Sequence, residues 1–299
     1  MIKRLILPLM LALMLLPGLR GAAQEGTYFQ YPIVPDSIQS LEARCNYLAE
    51  HFFDFCDLKK SFSNRKRMAD EFRVYLTIIA NARPDVAEAN ATALMKKLEK
   101  QPDDQLLLGE VAEATLYGDT AQMWIDGLYL PIARAVADNK RIDKAARARF
   151  EQQASILAGS LTGKRIASLP YTRPDGSQGN LDADTASVVV VFFNDPDCSD
   201  CHLARVRLNA DISTSELISE GRLKVAAISL SEPDDPLWKK AAADMPEGWS
   251  VGTNPDADLI VDLREGTPDF YILDGKHRIK FKHLTIDQVL DISRQLKRR

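Results

Sequence analysis

The sequence predicts an all-α helical bundle domain followed by an α/β domain, in which helices flank a central mixed sheet. Apolar residues recur with helical spacing upstream of a glycine-containing segment at 159–163, whereas strand-like and helix-like segments alternate downstream. A continuous apolar run at 188–193 is typical of a strand that is buried on both faces. With 299 residues, 45% of them hydrophobic, the chain can bury a core in each domain. We place the helical domain at 24–158 and the α/β domain at 159–299.

The first 23 residues have the pattern of a secretory signal peptide. Lys3 and Arg4 precede an apolar stretch at 5–16, and the small residues at 21–23 are typical of a cleavage site. The apolar stretch is shorter than the roughly 20 residues that span a bilayer, although an uncleaved anchor is an alternative. We expect residues 1–23 to be removed, leaving a soluble protein that is periplasmic or otherwise exported. Loss of the three basic residues of this segment changes the formal charge from −4 to −7, so nucleic acid is not an expected partner.

The predicted helical domain contains a series of amphipathic segments. One apolar stripe runs from Leu41 to Cys56 and a second from Met68 to Ile79. Arg83-Pro84-Asp85 marks a helix start, because proline is tolerated in the first turn. Further helices are expected at about 103–117, 125–138 and 142–158. No repeat of fixed period is present, which favours a bundle over a solenoid.

Cys45 and Cys56 both fall on the first of these stripes. On a continuous helix their Cα atoms would lie about 16 Å apart, beyond the roughly 7 Å limit of a disulfide. We therefore expect two packed core thiols, unless the helix breaks between them.

The α/β domain is predicted to contain hairpins at both ends and strand–helix alternation between them. The first expected elements are a hairpin around the turn at 173–176, a strand at 188–193, a helix from Cys198 and a strand at 223–230. A short helix carrying Trp238 and a helix near 256–262 should follow. The last elements are a strand that begins at Pro268 and turns at Asp274-Gly275 toward a partner strand near His277, and a helix with a capping box formed by Thr285 and Gln288. This order requires a mixed sheet.

Cys198-Ser199-Asp200-Cys201 directly follows the apolar strand, at the point where a helix is expected to begin. The unpaired N–H groups of a helix N-terminus lower the pKa of a thiol from about 8.5 to about 3.5–7.5 in C-x-x-C motifs. Because only the thiolate attacks a disulfide, Cys198 is the expected nucleophile, and Cys201, one turn further, would resolve the mixed disulfide. The motif indicates thiol–disulfide exchange without a cofactor or metal.

Several features of residues 162–299 occur together in one known family. They are the turn at Gly176, Phe192-Phe193 before the C-x-x-C motif, Trp238 on an inserted helix, Trp249 after it, and the run Thr267-Pro268-Asp269-Phe270-Tyr271-Ile272-Leu273-Asp274-Gly275. On these residues the segment resembles the TlpA/ResA-like branch of the thioredoxin superfamily. Residues 47–55 resemble a helical module of unknown function that precedes thioredoxin-like domains in secreted bacterial proteins.

The resemblance implies a thioredoxin-like fold and a role for Thr267 and Pro268. In that family the proline is cis, which would place the Thr267 backbone beside Cys198, where it can pair with a bound substrate chain. An ordinary trans proline at a strand entry is the alternative.

The surroundings of the motif depart from the family pattern. Asp197 stands where many relatives have tryptophan, and the strand at 188–193 has no carboxylate that could accept the proton of Cys201. Negative charge on Asp195, Asp197 and Asp200 should raise the pKa of the Cys198 thiol. A less stable thiolate disfavours the reduced pair, so we expect a reductant or isomerase rather than a strong oxidant.

Three other interpretations of the motif remain open. Cys198 to His202 also reads C-x-x-C-H, the signature of covalent c-type haem attachment. A C-x-x-C pair supplies two of the four ligands of a structural zinc site. A redox-inactive binding module could keep the thioredoxin-like shape.

The sequence therefore predicts an exported thiol–disulfide oxidoreductase. Cys198 would attack, Cys201 would resolve, and Thr267 and Pro268 would orient the substrate backbone. The expected partners are protein thiol and disulfide substrates and a membrane or periplasmic protein that donates electrons. The sequence carries no signal for an oligomeric state.

Overall fold

The computed structural model describes residues 27–121 and 123–298, so the predicted signal peptide lies outside the described residues. The described residues form two compact units, one up to Ala154 and one from Ser155, which we call the helical unit and the α/β unit. No helix within the described ranges is long and apolar enough to cross a bilayer.

The described part of the helical unit is all-α. Its helices are α1 (Leu41–His51), α2 (Leu58–Ser61), α3 (Arg65–Ile79), α4 (Pro84–Lys97), α5 (Pro102–Leu116), α6 (Asp126–Asp138) and α7 (Lys144–Ser160), the last of which continues into the α/β unit. Proline stands in the first turn of α4 and α5, where its missing N–H costs no helical hydrogen bond. The predicted all-α bundle is confirmed.

The prediction of one helical stripe from Leu41 to Cys56 is wrong, because α1 ends at His51. The next residues form a turn in which Phe52 and Phe53 both pack against the ring of Tyr75, with centroids 5.2 and 4.9 Å away. A continuing helix would direct these adjacent side chains about 100° apart, so the turn lets both join one aromatic cluster.

Both cysteines of this region are free thiols. Cys45 is fully buried, as expected for a core thiol. Cys56 is only partly buried, which departs from the prediction, and its Sγ lies 3.2 Å from the hydroxyl of Ser61.

The α/β unit contains a seven-stranded mixed sheet in the order β2-β1-β5-β4-β3-β6-β7. Its strands are β1 (Pro170–Thr172), β2 (Gln178–Asn180), β3 (Val188–Asn194), β4 (Leu223–Ser229), β5 (Ser250–Thr253), β6 (Asp269–Asp274) and β7 (Ile279–Leu284). β3, β4 and β5 are parallel, and antiparallel hairpins, β1–β2 and β6–β7, occupy the two edges. The predicted mixed sheet flanked by helices is confirmed.

Strand β3 separates two hydrophobic cores. Val189, Val191 and Phe193 pack with Tyr271 on one face of the sheet. Val190 and Phe192 alternate with them and pack on the other face, in the core that contains Cys201. Burial on both faces explains why this strand is a continuous apolar run.

Four helices complete the α/β unit: α8 (Ser199–Ala210), α9 (Ile212–Ser219), α10 (Pro236–Ala243) and α11 (Ile286–Lys297). The predicted capping box of α11 is present. The helix predicted near 256–262 is only a 3₁₀ turn at Ala257–Leu259, where Asp256 provides no side-chain cap. Strand β5 and helix α9 were not predicted, because neither short segment has a distinctive periodicity.

Tyr171 fixes the packing of β1 between its neighbours β2 and β5. Its ring covers Gly179 of β2 and Gly252 of β5, and a Cβ at either glycine would overlap with ring atoms. The absence of a side chain at these two positions therefore lets a buried aromatic lie flat on the sheet.

We predict that Gly252→Ala destabilises the α/β unit by about 1–3 kcal/mol, because the new methyl group displaces the Tyr171 ring. Urea unfolding of a Trp124→Phe background measures this change, since the remaining tryptophans, Trp238 and Trp249, both lie in the α/β unit. In a Tyr171→Ala background the same substitution should cost much less. An equal cost in both backgrounds would contradict the packing argument.

Candidate active site

The C-x-x-C motif lies where β3 ends and α8 begins. Cys198 is the N-cap of α8, and its Sγ accepts a hydrogen bond from the Cys201 N–H at 3.0 Å. A tight turn precedes it, in which the Cys198 N–H donates to the Asp195 carbonyl at 3.2 Å. The nucleophile predicted from sequence therefore has its sulfur at the positive end of a helix dipole, where a thiolate is stabilised.

The two cysteines form a disulfide, with their Cα atoms 5.2 Å apart. They differ in access to solvent, because Cys198 is partly exposed whereas only 3% of Cys201 is exposed. An incoming substrate can reach the first sulfur more readily than the second. This difference agrees with the order of attack predicted from the sequence.

Thr267 and Pro268 lie directly beside the disulfide. The peptide bond between them is cis, as the resemblance implied. The Thr267 carbonyl oxygen is 3.7 Å from Cys198 Sγ. Pro268 immediately precedes β6, which pairs with β3, and this pairing brings two segments distant in sequence to the same end of the sheet. The structure thus brings together all four predicted site residues.

The three aspartates near the motif differ in their surroundings. Asp197 and Asp200 are exposed. Asp195 is partly buried, and its Oδ1 accepts a hydrogen bond from the Asp197 N–H at 2.9 Å. The side chain of Asp195 therefore stabilises the turn that presents Cys198, in addition to contributing charge.

A pocket of about 300 Å³ adjoins the disulfide. Its wall includes residues of α8 and α10, among them His202, Arg205, Leu237 and Lys240. His202 is exposed, and its Nδ1 lies 3.0 Å from Arg205 Nη2. The pocket offers mixed apolar and charged contacts to groups that flank a disulfide bound at Cys198.

Sequence reasoning missed a buried ionic cluster on the other face of the sheet, formed by Asp262, Arg264, Asp269, Lys282 and His283. We call it the Asp262 cluster. Asp262 is fully buried, and its carboxylate accepts hydrogen bonds from the Arg264 guanidinium at 2.8 and 2.7 Å and from Lys282 at 2.6 Å. His283 bridges the two carboxylates, with Nε2 3.1 Å from Asp262 Oδ2 and Nδ1 2.9 Å from Asp269 Oδ2.

A β-bulge in β7 makes this arrangement possible. The β6–β7 register shifts between the pairs Phe270–Leu284 and Ile272–Phe281, so β7 contains an extra residue there. His283 has a φ of 56°, a value rare for a residue with a side chain. Neighbouring side chains of a regular strand point to opposite faces, but this bulge lets both Lys282 and His283 reach Asp262.

The geometry favours an imidazolium at His283 that donates to two ionised carboxylates. Both of its ring nitrogens face carboxylate oxygens, and only the protonated ring has two N–H donors. Burial alone would lower the pKa of His283, but its hydrogen bonds to Asp262 and Asp269 outweigh burial and raise the pKa to about 9. Burial likewise opposes ionisation of Asp262, yet its bonds to His283 and Arg264 hold the pKa well below the usual range. For Asp269, burial dominates and raises the pKa.

A sequence signal for this cluster does exist. Asp269 follows the predicted cis proline at a position that becomes the first residue of a buried strand, and a buried carboxylate there requires a cation. The polar pair Lys282-His283 interrupts the alternation of β7, which is a mark of a bulge.

No group of three or more His, Cys, Asp or Glu side chains in residues 27–121 and 123–298 is arranged to hold a metal ion. Cys198 and Cys201 would supply only two of the four ligands that a structural zinc site needs.

A family model matches the N-terminal half of the chain. Residues 19–159 match a family model described as a domain of unknown function, DUF5106. A comparison with curated proteins found no match.

Solved structures resemble the chain at low sequence identity. A thioredoxin-like protein from Bacteroides caccae is 20% identical, with a TM-score of 0.68, over 90% of this chain and 98% of its own. A conserved protein of unknown function from Bacteroides fragilis is 31% identical, with a TM-score of 0.41, over 44% of this chain and 98% of its own. The thioredoxin domain of a thiol-disulfide oxidoreductase from Bacteroides vulgatus is 20% identical, with a TM-score of 0.37, over 45% of this chain and 96% of its own. The first of these shows the fold, so the predicted thioredoxin-like fold is confirmed.

We predict that the stability of the α/β unit falls as the pH rises through about 9. The pKa of His283 is about 9 in the folded protein and 6.5 in an unfolded chain, so its contribution is complete below pH 6.5 and is lost as the pH rises from there through about 9. The total loss should approach roughly 3 kcal/mol. Urea unfolding of the oxidised Trp124→Phe protein from pH 6 to pH 10 measures it.

The matched variants are His283→Gln and His202→Gln. The first should remove this component of the pH dependence, whereas the second, an exposed histidine on α8, should retain it. An unchanged pH dependence in His283→Gln would contradict the assignment of the proton to the Asp262 cluster.

Proposed function

We propose that this chain, with its thioredoxin-like unit, is an exported thiol–disulfide oxidoreductase that exchanges disulfides through Cys198 and Cys201. The observation that carries the proposal is the placement of a partly exposed sulfur at a helix N-terminus, 3.7 Å from the Thr267 carbonyl. A sulfur so placed is stabilised as a thiolate and lies beside a backbone segment that can hold an extended chain.

The reduced enzyme would act in two exchange steps. The Cys198 thiolate attacks one sulfur of a substrate disulfide, and the other substrate sulfur leaves as a thiolate that takes up a proton. Cys201 then loses its proton and attacks Cys198 Sγ, which forms the internal disulfide and releases the second substrate sulfur as a thiolate that also takes up a proton. Two electrons and two protons pass to the substrate, and a thiol-bearing donor protein must supply them again.

The charges around the motif favour a reductant or isomerase over a strong oxidant. Asp195, Asp197 and Asp200 destabilise a neighbouring thiolate and with it the reduced pair. Protein disulfides are the proposed substrates, and a membrane or periplasmic protein is the proposed electron donor. Export is supported by the signal-like pattern of residues 1–23.

We predict that Cys201→Ser accumulates a mixed disulfide at Cys198 when mixed with a blocked peptide disulfide, because the resolving thiol is gone. Mass spectrometry identifies the adduct, and a Cys56→Ser background removes the partly exposed thiol of the helical unit. Cys198→Ser should form no adduct, and both variants should lose catalytic turnover.

Other results would point to the remaining interpretations. No adduct and no reversible two-electron couple would contradict the proposal and leave a redox-inactive binding module. A haem absorption band in protein purified from an exporting host would instead indicate covalent attachment at Cys198 and Cys201, with His202 as an axial ligand of the iron.

We also predict that the double variant Asp197→Asn/Asp200→Asn has a lower pKa at the Cys198 thiol and a higher reduction potential for the Cys198–Cys201 disulfide. Removing exposed charge should change the potential by roughly 5–20 mV at low salt, and less at high salt. Equilibration with glutathione buffers measures it. Glu220→Gln is the matched control, because Glu220 lies in the turn before β4, at the opposite end of the parallel strands. Equal shifts in both variants would contradict a local effect of charge.

A further inference from the structure

Asp269 connects the Asp262 cluster to the cysteine site through the backbone. It follows Pro268 directly and lies two residues after Thr267, whose carbonyl faces Cys198 Sγ. Its side chain lies on the sheet face of Tyr271, whereas Cys201 packs in the core on the opposite face. Asp269 therefore cannot act on the resolving sulfur directly, but it can fix the segment that carries Thr267.

His283 is the side chain that forms a hydrogen bond with the Asp269 carboxylate. The Asp269 residue is only 1% exposed, and among the described residues its Oδ1 has no hydrogen-bond partner. Its Oδ2 is 2.9 Å from His283 Nδ1. A buried carboxylate with so few partners depends strongly on each of them.

His283 is itself held from several sides. Its Nε2 faces Asp262, and its ring contacts the ring of Tyr271 edge-on, with centroids 5.8 Å apart. Asp262 is in turn bound by Arg264 and Lys282, and its backbone N–H donates to Ser160 Oγ at 3.1 Å. The imidazolium is thus fixed at both nitrogens, and Asp269 has little freedom to move.

We propose that His283 is a positioning residue of the exchange reaction, which acts through Asp269 to hold the Thr267 backbone in place for pairing with an extended disulfide-containing chain. This inference rests on the proposed function. It assigns the Asp262 cluster a role in substrate recognition beyond its contribution to stability.

The proposal predicts a difference between substrate classes. A peptide disulfide has backbone N–H and C=O groups that can pair with Thr267, whereas bis(2-hydroxyethyl) disulfide has none. Both require the same sulfur attack by Cys198. Loosening the Thr267 segment should therefore weaken binding of the peptide and leave the small disulfide unaffected.

The test compares His283→Gln and Asp269→Asn with wild type on these two substrates. The KM for a blocked peptide disulfide should rise about five- to tenfold, as expected for a lost backbone hydrogen bond, while kcat/KM for bis(2-hydroxyethyl) disulfide stays within about twofold. Arg278→Gln is the matched control, because it breaks an ion pair with Asp274 on the same hairpin without touching the cluster. It should change neither value.

Wild-type protein provides a second measurement that does not depend on a variant folding. Because the pKa of His283 is about 9, the ratio of kcat/KM for the peptide to that for the small disulfide should fall between pH 8 and pH 10. The ionisation of Cys198 is common to both substrates and cancels in the ratio. Titratable and aromatic groups that face the imidazole include Asp262, Asp269 and the Tyr271 ring, with Arg264 and Lys282 bound to Asp262.

Three results would overturn the inference. They are an equal loss on both substrates in folded His283→Gln, no loss on either, and a ratio that is constant with pH. If wild type turns over neither substrate and Cys201→Ser traps no adduct, the proposed function fails and the inference fails with it.

Discussion

The burial of β3 on both faces is the constraint on which the geometry of the site depends. A strand between β4 and β6, covered by two cores, has a fixed register and cannot shift without exposing its apolar side chains. Its end therefore sets the position of the turn at 195–198 and of the first residue of α8. The same register places the start of β6 opposite Phe193, so Pro268 and Cys198 meet at one end of the sheet.

Aromatic contacts reinforce this register on each face. The rings of Phe192 and Phe270 are stacked, with centroids 4.7 Å apart, in the core that contains Cys201. On the other face Phe193 and Tyr271 form an edge-to-face pair at 5.5 Å. These cross-strand pairs link β3 to β6 through side chains as well as through backbone hydrogen bonds. Both kinds of contact therefore hold the end of β3 next to the start of β6, where the site lies.

The local features of the site could be predicted from the sequence, but its long-range partners could not. The apolar run before Cys198 and the Thr285 capping box are encoded within a few residues, and both are found where predicted. The Asp262 cluster depends on a bulge in β7 that brings together three segments of the chain; the interrupted alternation at Lys282-His283 marks the bulge but does not identify the residues that it meets. The end of α1 was missed for a similar reason, because Phe52 and Phe53 turn to meet Tyr75 of another helix.

The two faces of the sheet surround the site with different kinds of side chain. One face holds Cys201 among apolar groups, which leaves the resolving thiol buried and without a nearby carboxylate on β3. The other face carries the charged groups that fix the start of β6. On the cysteine face, these charged side chains would take the place of the apolar groups that bury Cys201. Because the sheet separates the two groups, the buried ionic cluster can fix the backbone at Thr267 while Cys198 and Cys201 stay packed against apolar side chains.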